Sequence, residues 1–196
     1  DMALEVPIQA VKSALDRHPN AVGMVLTNPT YYGVCSPVWA IGRCLHNSNK
    51  FLIVDEAHGA HFAFCDRLPH TALEDGADVA VQSMHKTLPV PGQCSLLHVH
   101  QESLVDAERV HMSLQLLQTT SPSYMLMAAM DEAVEGLSKW GTRRIETLVK
   151  AIQRMKQELR RSGVLDFADE QTLRVPQDST RMVVDFSNVG ISGSAA

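Results

Sequence analysis

The sequence predicts an α/β protein: a mostly parallel sheet covered by helices, followed by the start of a smaller α+β domain. Three observations support this prediction. Short apolar runs of strand length alternate with stretches in which apolar residues recur at helical spacing. The runs are apolar at every position, as is typical of strands that are covered on both faces. Turns containing proline or glycine separate the elements.

The first half of the chain supplies the predicted sheet. A helix with Val11 on its apolar side precedes a strand at 21–26. Ser36 and Pro37 predict the cap and the first residue of a second helix, because serine caps helices well and proline suits their first turn. Three further strands are predicted at 51–54, 78–82 and 94–99.

The second half begins with predicted helices. Ser121 and Pro122 predict the start of a helix, and a longer helix is predicted over about 143–161. The inward residues of the first helix are predicted to be Met125, Met130, Ala133 and Leu137. The apolar stripe of the second is predicted to be Ile145, Leu148, Ile152, Met155 and Leu159.

The pattern changes after the long helix. Short strands are predicted at 172–175 and 181–186. We therefore place a boundary near Gly141. It divides the chain into a partial large domain at 1–140 and a connector helix with an incomplete C-terminal domain at 141–196.

Composition limits the classes of partner. The 17 Lys and Arg residues and 22 Asp and Glu residues give a net charge of −5, which argues against a nucleic-acid or anionic-membrane surface. The apolar runs are far shorter than a membrane helix. The 4 cysteines form no CxxC pair, which favours reduced thiols and a cytoplasmic location. A small-molecule partner is therefore expected.

Reactive side chains follow neighbouring predicted strands. Asp55 comes directly after an apolar strand, where we expect a low-dielectric setting that calls for a cationic partner. Lys86 lies in the predicted loop after the next strand and could serve as a nucleophilic amine. Because ligands of parallel α/β sheets bind at the carboxyl ends of strands, both groups could meet one ligand. Pyridoxal phosphate has an aldehyde for the amine and a ring nitrogen for the carboxylate.

Two other functions can be considered from the same residues. Asp55-Glu56-Ala57-His58 also spells the magnesium-binding box of one helicase group, in which the acidic pair would serve nucleotide hydrolysis. No Gly-x-x-x-x-Gly-Lys-Ser/Thr phosphate loop is present, so this remains a remote alternative. His58 and His61 with Asp55 do not complete the ligand set of a zinc site, and no metal is expected.

Four segments, in this order, resemble the major domain of the ornithine/lysine/arginine decarboxylase family. They are Asn-Pro-Thr-Tyr-Tyr-Gly at 28–33, Phe-Leu-Ile-Val-Asp-Glu-Ala-His-Gly-Ala-His-Phe at 51–62, Ser-Met-His-Lys-Thr-Leu at 83–88 and Thr-Thr-Ser-Pro-Ser-Tyr-Met-Leu-Met-Ala at 119–128. The resemblance implies the aspartate aminotransferase fold (fold type I), pyridoxal phosphate as cofactor, and decarboxylation of arginine, lysine or ornithine to the amine. It also implies a role in amino-acid metabolism and polyamine biosynthesis.

The resemblance also implies roles for individual residues. Lys86 would hold the cofactor as a Schiff base, Asp55 would pair with its ring nitrogen, and Lys86 or His85 would return a proton to the α-carbon. The remaining cofactor contacts would be Ala57 on a ring face, His58 at the phenolic oxygen, Ser83 and His85 at the phosphate, and Thr120 and Ser121 toward the cofactor of a neighbouring subunit. A homodimer or larger homo-oligomer follows from that last transfer.

The alternatives within this resemblance remain open. Another fold-type-I enzyme, such as an aminotransferase or an α-oxoamine synthase, is the runner-up, because no motif determines which bond of the α-carbon is broken. The chain also looks like a fragment, since the family's phosphate turn and ring-stacking residue are expected upstream of it. A truncated, inactive piece of the enzyme is therefore a further possibility.

Overall fold

The computed structural model describes residues 4–163, 165–186 and 190. Its helices are α1 (Ile8–Arg17), α2 (Val38–His46), α3 (Met84–Thr87), α4 (Ala107–Leu117), α5 (Tyr124–Arg161) and α6 (Glu170–Leu173), with a 3-10 turn at Phe62–Phe64. Its strands are β1 (Gly23–Thr27), β2 (Phe51–Asp55), β3 (Val79–Gln82), β4 (Leu96–Val99), β5 (Asp166–Phe167) and β6 (Val184–Asp185).

The main sheet has the strand order β1-β2-β3-β4. The first three strands are parallel, and β4 runs antiparallel to β3. In the register, Thr27 lies beside Asp55, and Asp55 lies beside Val81. The predicted α/β fold with a mostly parallel sheet is therefore confirmed, and the carboxyl ends of the parallel strands meet at one edge.

Helices α1 and α2 cover one face of the sheet. Leu26, Leu52 and Val54 point toward them and pack in one apolar cluster with Ile41 and Leu45 of α2. Complete burial of such a side chain contributes about 1.5–3 kcal/mol. The second face of the sheet is covered in part, since residues of β2 and β3 line a cavity together with residues of α4. Successive side chains of a strand point to opposite faces, and on the second face Val25 is 69% exposed.

Two predicted helix starts are wrong by one or two residues. The cap position of α2 is Pro37, and the hydroxyl of Ser36 accepts a hydrogen bond from the distant Val6 N–H at 3.0 Å instead. The cap of α5 is Ser123 rather than Ser121, with Ser123 Oγ accepting from Leu126 N–H. Because the helix starts later, Met125 lies in its first turn and is exposed rather than directed inward.

The two helices predicted on either side of Gly141 are one helix of 38 residues, α5. Gly141 lies where α5 approaches the 3-10 turn so closely that a Cβ atom there would be 3.1 Å from Phe64 Cβ. The glycine therefore serves packing and does not interrupt the helix. In the predicted stripe, Ile145 and Ile152 are buried, whereas Leu148 and Met155 are exposed. The domain boundary near Gly141 remains a prediction.

The segment after α5 folds back onto the first part of the chain. The predicted strand at 172–175 is wrong: its first residues belong to α6, where the Asp169 side chain caps the helix. The predicted strand at 181–186 is reduced to β6. Cys35 N–H donates to Pro176 O at 2.9 Å, and Asp178 N–H donates to Gly33 O at 2.8 Å. These bonds bring residues 176–181 to the edge where the parallel strands end.

Candidate cofactor-binding site

The ends of the three parallel strands are joined by backbone hydrogen bonds. Asn28 N–H donates to Asp55 O at 3.0 Å, and Glu56 N–H donates to Val81 O at 2.8 Å. Asn28 also accepts from Ser36 N–H through its side-chain oxygen at 2.7 Å. The residues that follow each strand are therefore held side by side, as the sequence predicts.

Asp55 and Lys86 both lie at this edge with their charged groups unpaired. Asp55 is the last residue of β2 and is exposed, so the buried setting expected from the sequence is wrong for the described chain. Its carboxylate accepts one hydrogen bond, from Ala57 N–H at 3.1 Å. Lys86 lies in the one-turn helix α3, not in a loop. Within the described residues, its ammonium group makes no hydrogen bond and no ion pair.

His58 connects these two groups electrostatically. Burial lowers the pKa of His58, the positive charges of Lys86 and Arg181 lower it further, and the carboxylate of Asp55 raises it. Each of these three charged groups is therefore within electrostatic range of His58. The ring of Tyr31 stands edge-on to the His58 ring, with 5.5 Å between the ring centroids.

Of the other predicted cofactor contacts, Ala57, Ser83 and His85 lie next to Asp55 or Lys86 in the chain, whereas Thr120 and Ser121 lie apart from them. Ala57 is buried beside Asp55, Ser83 is half-buried before α3, and His85 is exposed within α3. The Nδ1–H of His85 donates to Cys94 O at 2.9 Å, because a carbonyl oxygen can only accept, and this leaves Nε2 for proton exchange. Thr120 and Ser121 are exposed between α4 and α5, and no hydrogen bond or ion pair links them to this edge in the described chain.

The structure adds residues that the sequence analysis missed. Arg181 donates from Nη2 to His58 Nδ1 at 3.3 Å. Together with Lys86, His61 and Thr180 it lines a cavity of about 260 Å³. Asp178, which is fully buried, lies behind it with its Oδ2 3.0 Å from His61 Nε2. No sequence pattern connects these residues to Lys86, since only the return of the chain after α5 brings them there.

Glu56 was considered in the sequence analysis only for nucleotide hydrolysis. It is fully buried. Its carboxyl group accepts from Ala72 N–H at 2.7 Å and from Gln82 Nε2–H at 2.6 Å. Burial raises the pKa of Glu56 to about 7. A carboxyl group that is enclosed and fully engaged in this way cannot activate a water molecule for attack on a nucleotide.

Metal sites and membrane-spanning helices are two further features that can be considered among the described residues. No group of three or more His, Cys, Asp or Glu side chains there is arranged to hold a metal ion. Among the helices that the structure describes, none combines the length and apolar content that crossing a bilayer requires.

The chemistry of this edge fits pyridoxal phosphate. The cofactor needs an amine for its aldehyde and a carboxylate for its ring nitrogen. Lys86 supplies an amine that no protein group neutralises in the described chain, and Asp55 supplies a carboxylate in the same condition. Lys86 and Asp55 both act on His58 but form no ion pair with each other in the described chain. They therefore suit a ligand that binds the amine with one group and the carboxylate with another.

Solved structures share this fold. Alanine–glyoxylate aminotransferase from Nostoc sp. matches with a TM-score of 0.66 at 16% sequence identity, over 90% of this chain and 49% of that one. At that identity the likeness shows the fold alone. The model of the family "Orn/Lys/Arg decarboxylase, major domain" matches residues 3–184, and the chain belongs to this family.

Curated relatives share the sequence over most of the chain. The arginine decarboxylase of Halalkalibacterium halodurans is 34% identical over 192 residues, which are 96% of this chain and 39% of that protein. The arginine decarboxylase of Bacillus subtilis is 33% identical over 192 residues, again 96% of this chain and 39% of that protein. The chain thus spans about two fifths of the length of these relatives.

Proposed function

We propose that the full-length protein containing this chain is a pyridoxal-phosphate-dependent decarboxylase of basic amino acids, with arginine as the favoured substrate. The observation that carries this proposal is the unpaired Lys86 amine and Asp55 carboxylate at one strand edge, both acting on His58. Family membership and the names of the two relatives support decarboxylation and arginine.

The residues of this chain would divide the work as follows. Lys86 would attach the cofactor covalently through its amine, and Asp55 would keep a proton on the pyridine nitrogen. Ala57 would pack against one face of the ring, and Ser83 would donate a hydrogen bond to the phosphate. His85, whose Nδ1–H is held by Cys94 O, would donate to the phosphate only while Nε2 is also protonated. When bound, the cofactor withdraws electrons from the α-carbon of the amino acid, which allows its carboxylate to leave as carbon dioxide.

A proton must then return to the α-carbon, and this chain offers two groups for it. Lys86 would have a free amine while the substrate is bound, and its side chain is exposed and lines the cavity. His85 has its Nδ1 engaged by Cys94 O, so its Nε2 is the nitrogen that can hold and release a proton. We place the proton return on one of these two residues.

The test is release of labelled carbon dioxide by the full-length protein from carboxyl-labelled arginine, lysine and ornithine. We expect carbon dioxide and the corresponding amine in equal amounts, with arginine the fastest substrate. A product that keeps its carboxylate while losing its amino group would move the assignment to an aminotransferase. In a parallel reaction supplied with an acyl thioester, a product lengthened by the acyl group would indicate an α-oxoamine synthase.

We also propose that the protein is a homo-oligomer in which Thr120 and Ser121 approach the cofactor of a neighbouring subunit. Exposed apolar side chains flank them in the sequence: Leu116, Leu117, Tyr124 and Met125. Such a cluster is typical of an interface. Co-expression of a Lys86→Ala subunit with a Ser121→Trp subunit tests this, because mixed dimers would regain one intact site, whereas mixtures of separately assembled dimers would remain inactive.

We propose a cytoplasmic location for the protein. The four cysteines, Cys35, Cys44, Cys65 and Cys94, are free thiols in the structure. Free thiols are typical of reducing compartments. Fractionation of cells followed by immunodetection would test this, and recovery in a secreted or periplasmic fraction would contradict it.

A further inference from the structure

The contact between Arg181 and His58 determines which nitrogen of the histidine holds its proton. Arg181 Nη2 lies 3.3 Å from His58 Nδ1. A guanidinium group can only donate, so Nδ1 must accept, and the neutral ring then has its proton on Nε2. We infer that Arg181 is a positioning residue that holds His58 neutral, with Nε2–H directed to donate a hydrogen bond to the cofactor. This inference rests on the proposed function.

Arg181 itself is held in place by a buried carboxylate. Asp178 accepts from Thr180 N–H at 2.9 Å and from Thr180 Oγ1–H at 2.7 Å, and its Oδ2 lies 3.8 Å from Arg181 Nε. On the other side the segment packs against Gly33, where φ is +83° and a Cβ atom would be 2.8 Å from Arg181 Cγ. The guanidinium therefore reaches His58 from a fixed segment and not from a freely moving surface chain.

The groups that face His58 come from four parts of the fold. They are Asp55 at the end of β2, Lys86 in α3, Arg181 in the returning segment, and the ring of Tyr31 after β1. Lys86 and Arg181 both favour the neutral ring, and Asp55 opposes them. Nε2 of His58 makes no hydrogen bond within the described residues, so it is available to a ligand.

The test measures the protonation of His58 directly in the full-length protein after removal of the cofactor. Diethyl pyrocarbonate modifies neutral imidazole, and peptide mass spectrometry reports the extent of modification at His58 across a pH series. The midpoint of that series is the pH at which half of the His58 side chains are neutral. In Arg181→Gln we expect the midpoint to move up by about one pH unit, since a nearby positive charge is lost. The matched control Arg143→Gln changes an exposed arginine of α5 and should leave the midpoint unchanged.

A second variant keeps the test interpretable if Arg181→Gln does not fold. Arg181→Met keeps an unbranched side chain against Gly33 without the charge, and circular dichroism shows which variants are folded. An unchanged midpoint in a folded variant of either kind would overturn the inference.

Cofactor affinity provides a separate readout of the hydrogen bond from Nε2. We expect Arg181→Gln to bind pyridoxal phosphate about 2- to 10-fold more weakly, the amount that one hydrogen bond contributes. Unchanged affinity would overturn the proposed donation to the cofactor. Neither measurement depends on decarboxylation: if the midpoint and the affinity move but no amino acid loses carbon dioxide, the proposed function fails while the role of Arg181 stands.

Discussion

Asp55 and Glu56 are adjacent carboxylic acids in two very different regions of the molecule. Asp55 lies on the open side of the strand edge, exposed and with one N–H donor. Glu56 lies on the opposite side, fully buried between Ala72 N–H and the Gln82 amide. Because successive residues of an extended chain point to opposite sides, Asp55 faces outward and Glu56 faces the interior.

The two acids therefore differ in what they can do at this strand end: Asp55 can meet a ligand, whereas Glu56 stabilises the structure around it. Asp55 contributes little to internal packing and leaves its charge available to a ligand. Glu56 links the end of β2 to β3 and to the loop at Ala72, which holds the turn containing Asp55 in place. Substitutions on the open side should therefore affect chemistry, and those on the buried side should affect stability first.

The largest effect is expected for Lys86→Ala in the full-length protein. Decarboxylation should fall by at least about a thousandfold, because the residue that attaches the cofactor is lost. Borohydride reduction followed by peptide mapping should no longer find cofactor bound to the chain. Lys150→Ala, in an exposed lysine of α5, serves as the control. Cofactor still trapped on the peptide that carries the Lys86→Ala substitution would contradict the assignment.

Asp55→Ala should have the next largest effect on decarboxylation. Turnover is expected to fall by about 10²- to 10³-fold, as it does elsewhere when one group that stabilises developing charge is removed. The melting temperature should barely change, because the side chain is exposed and accepts one hydrogen bond. Unchanged turnover in steady-state assays would defeat the assignment, and a large loss of stability would defeat the contrast with Glu56.

Glu56→Ala, in contrast to Asp55→Ala, should lower the stability of the protein first. Removing the side chain leaves two donors without an acceptor and opens a cavity, which should cost about 2–5 kcal/mol of stability. Glu56→Gln keeps one acceptor oxygen at nearly the same volume and should cost less. Thermal unfolding of both variants beside Asp55→Ala measures the difference. Equal melting temperatures for Glu56→Ala and the parent protein would show that the cluster does not support the strand end.

The smallest expected effect is that Glu56 makes the stability of the folded protein depend on pH. Its pKa is about 7 in the folded protein against an ordinary value of 4.5, so between these values the folded state holds a proton that the unfolded state has lost. The stabilisation is complete below about 4.5 and is lost as the pH rises through about 7.

Glu56→Gln isolates this contribution from others of opposite sign. The pKa values of Asp78 and Asp178 are lowered by their hydrogen bonds, so their stabilisation is lost on acidification instead. The melting temperature of the parent should therefore fall relative to that of the variant as the pH rises from 5 to 8, because the side chain of the variant stays neutral. A constant difference across this range would contradict a raised pKa for Glu56.

Local sequence was sufficient to predict the four strands of the main sheet and to select Asp55 and Lys86 as candidates for the site. The apolar run before Asp55 and the polar residues after β3 place both side chains at strand ends, which parallel pairing then brings to one edge. The continuous helix through Gly141 could not be predicted in this way. Glycine usually weakens a helix, and the reason for it here is the approach of Phe64, which is distant in the sequence.

The sequence by itself determined the α/β class, the parallel strand ends and the position of an amine and an acid just at or after them, because these depend on patterns a few residues long. Only the tertiary structure decided that Asp55 is exposed while Glu56 is enclosed, and that Arg181 reaches His58 across 123 positions of the chain. Burial and hydrogen bonds between distant segments depend on how the whole chain packs, and no local pattern of residues specifies that packing.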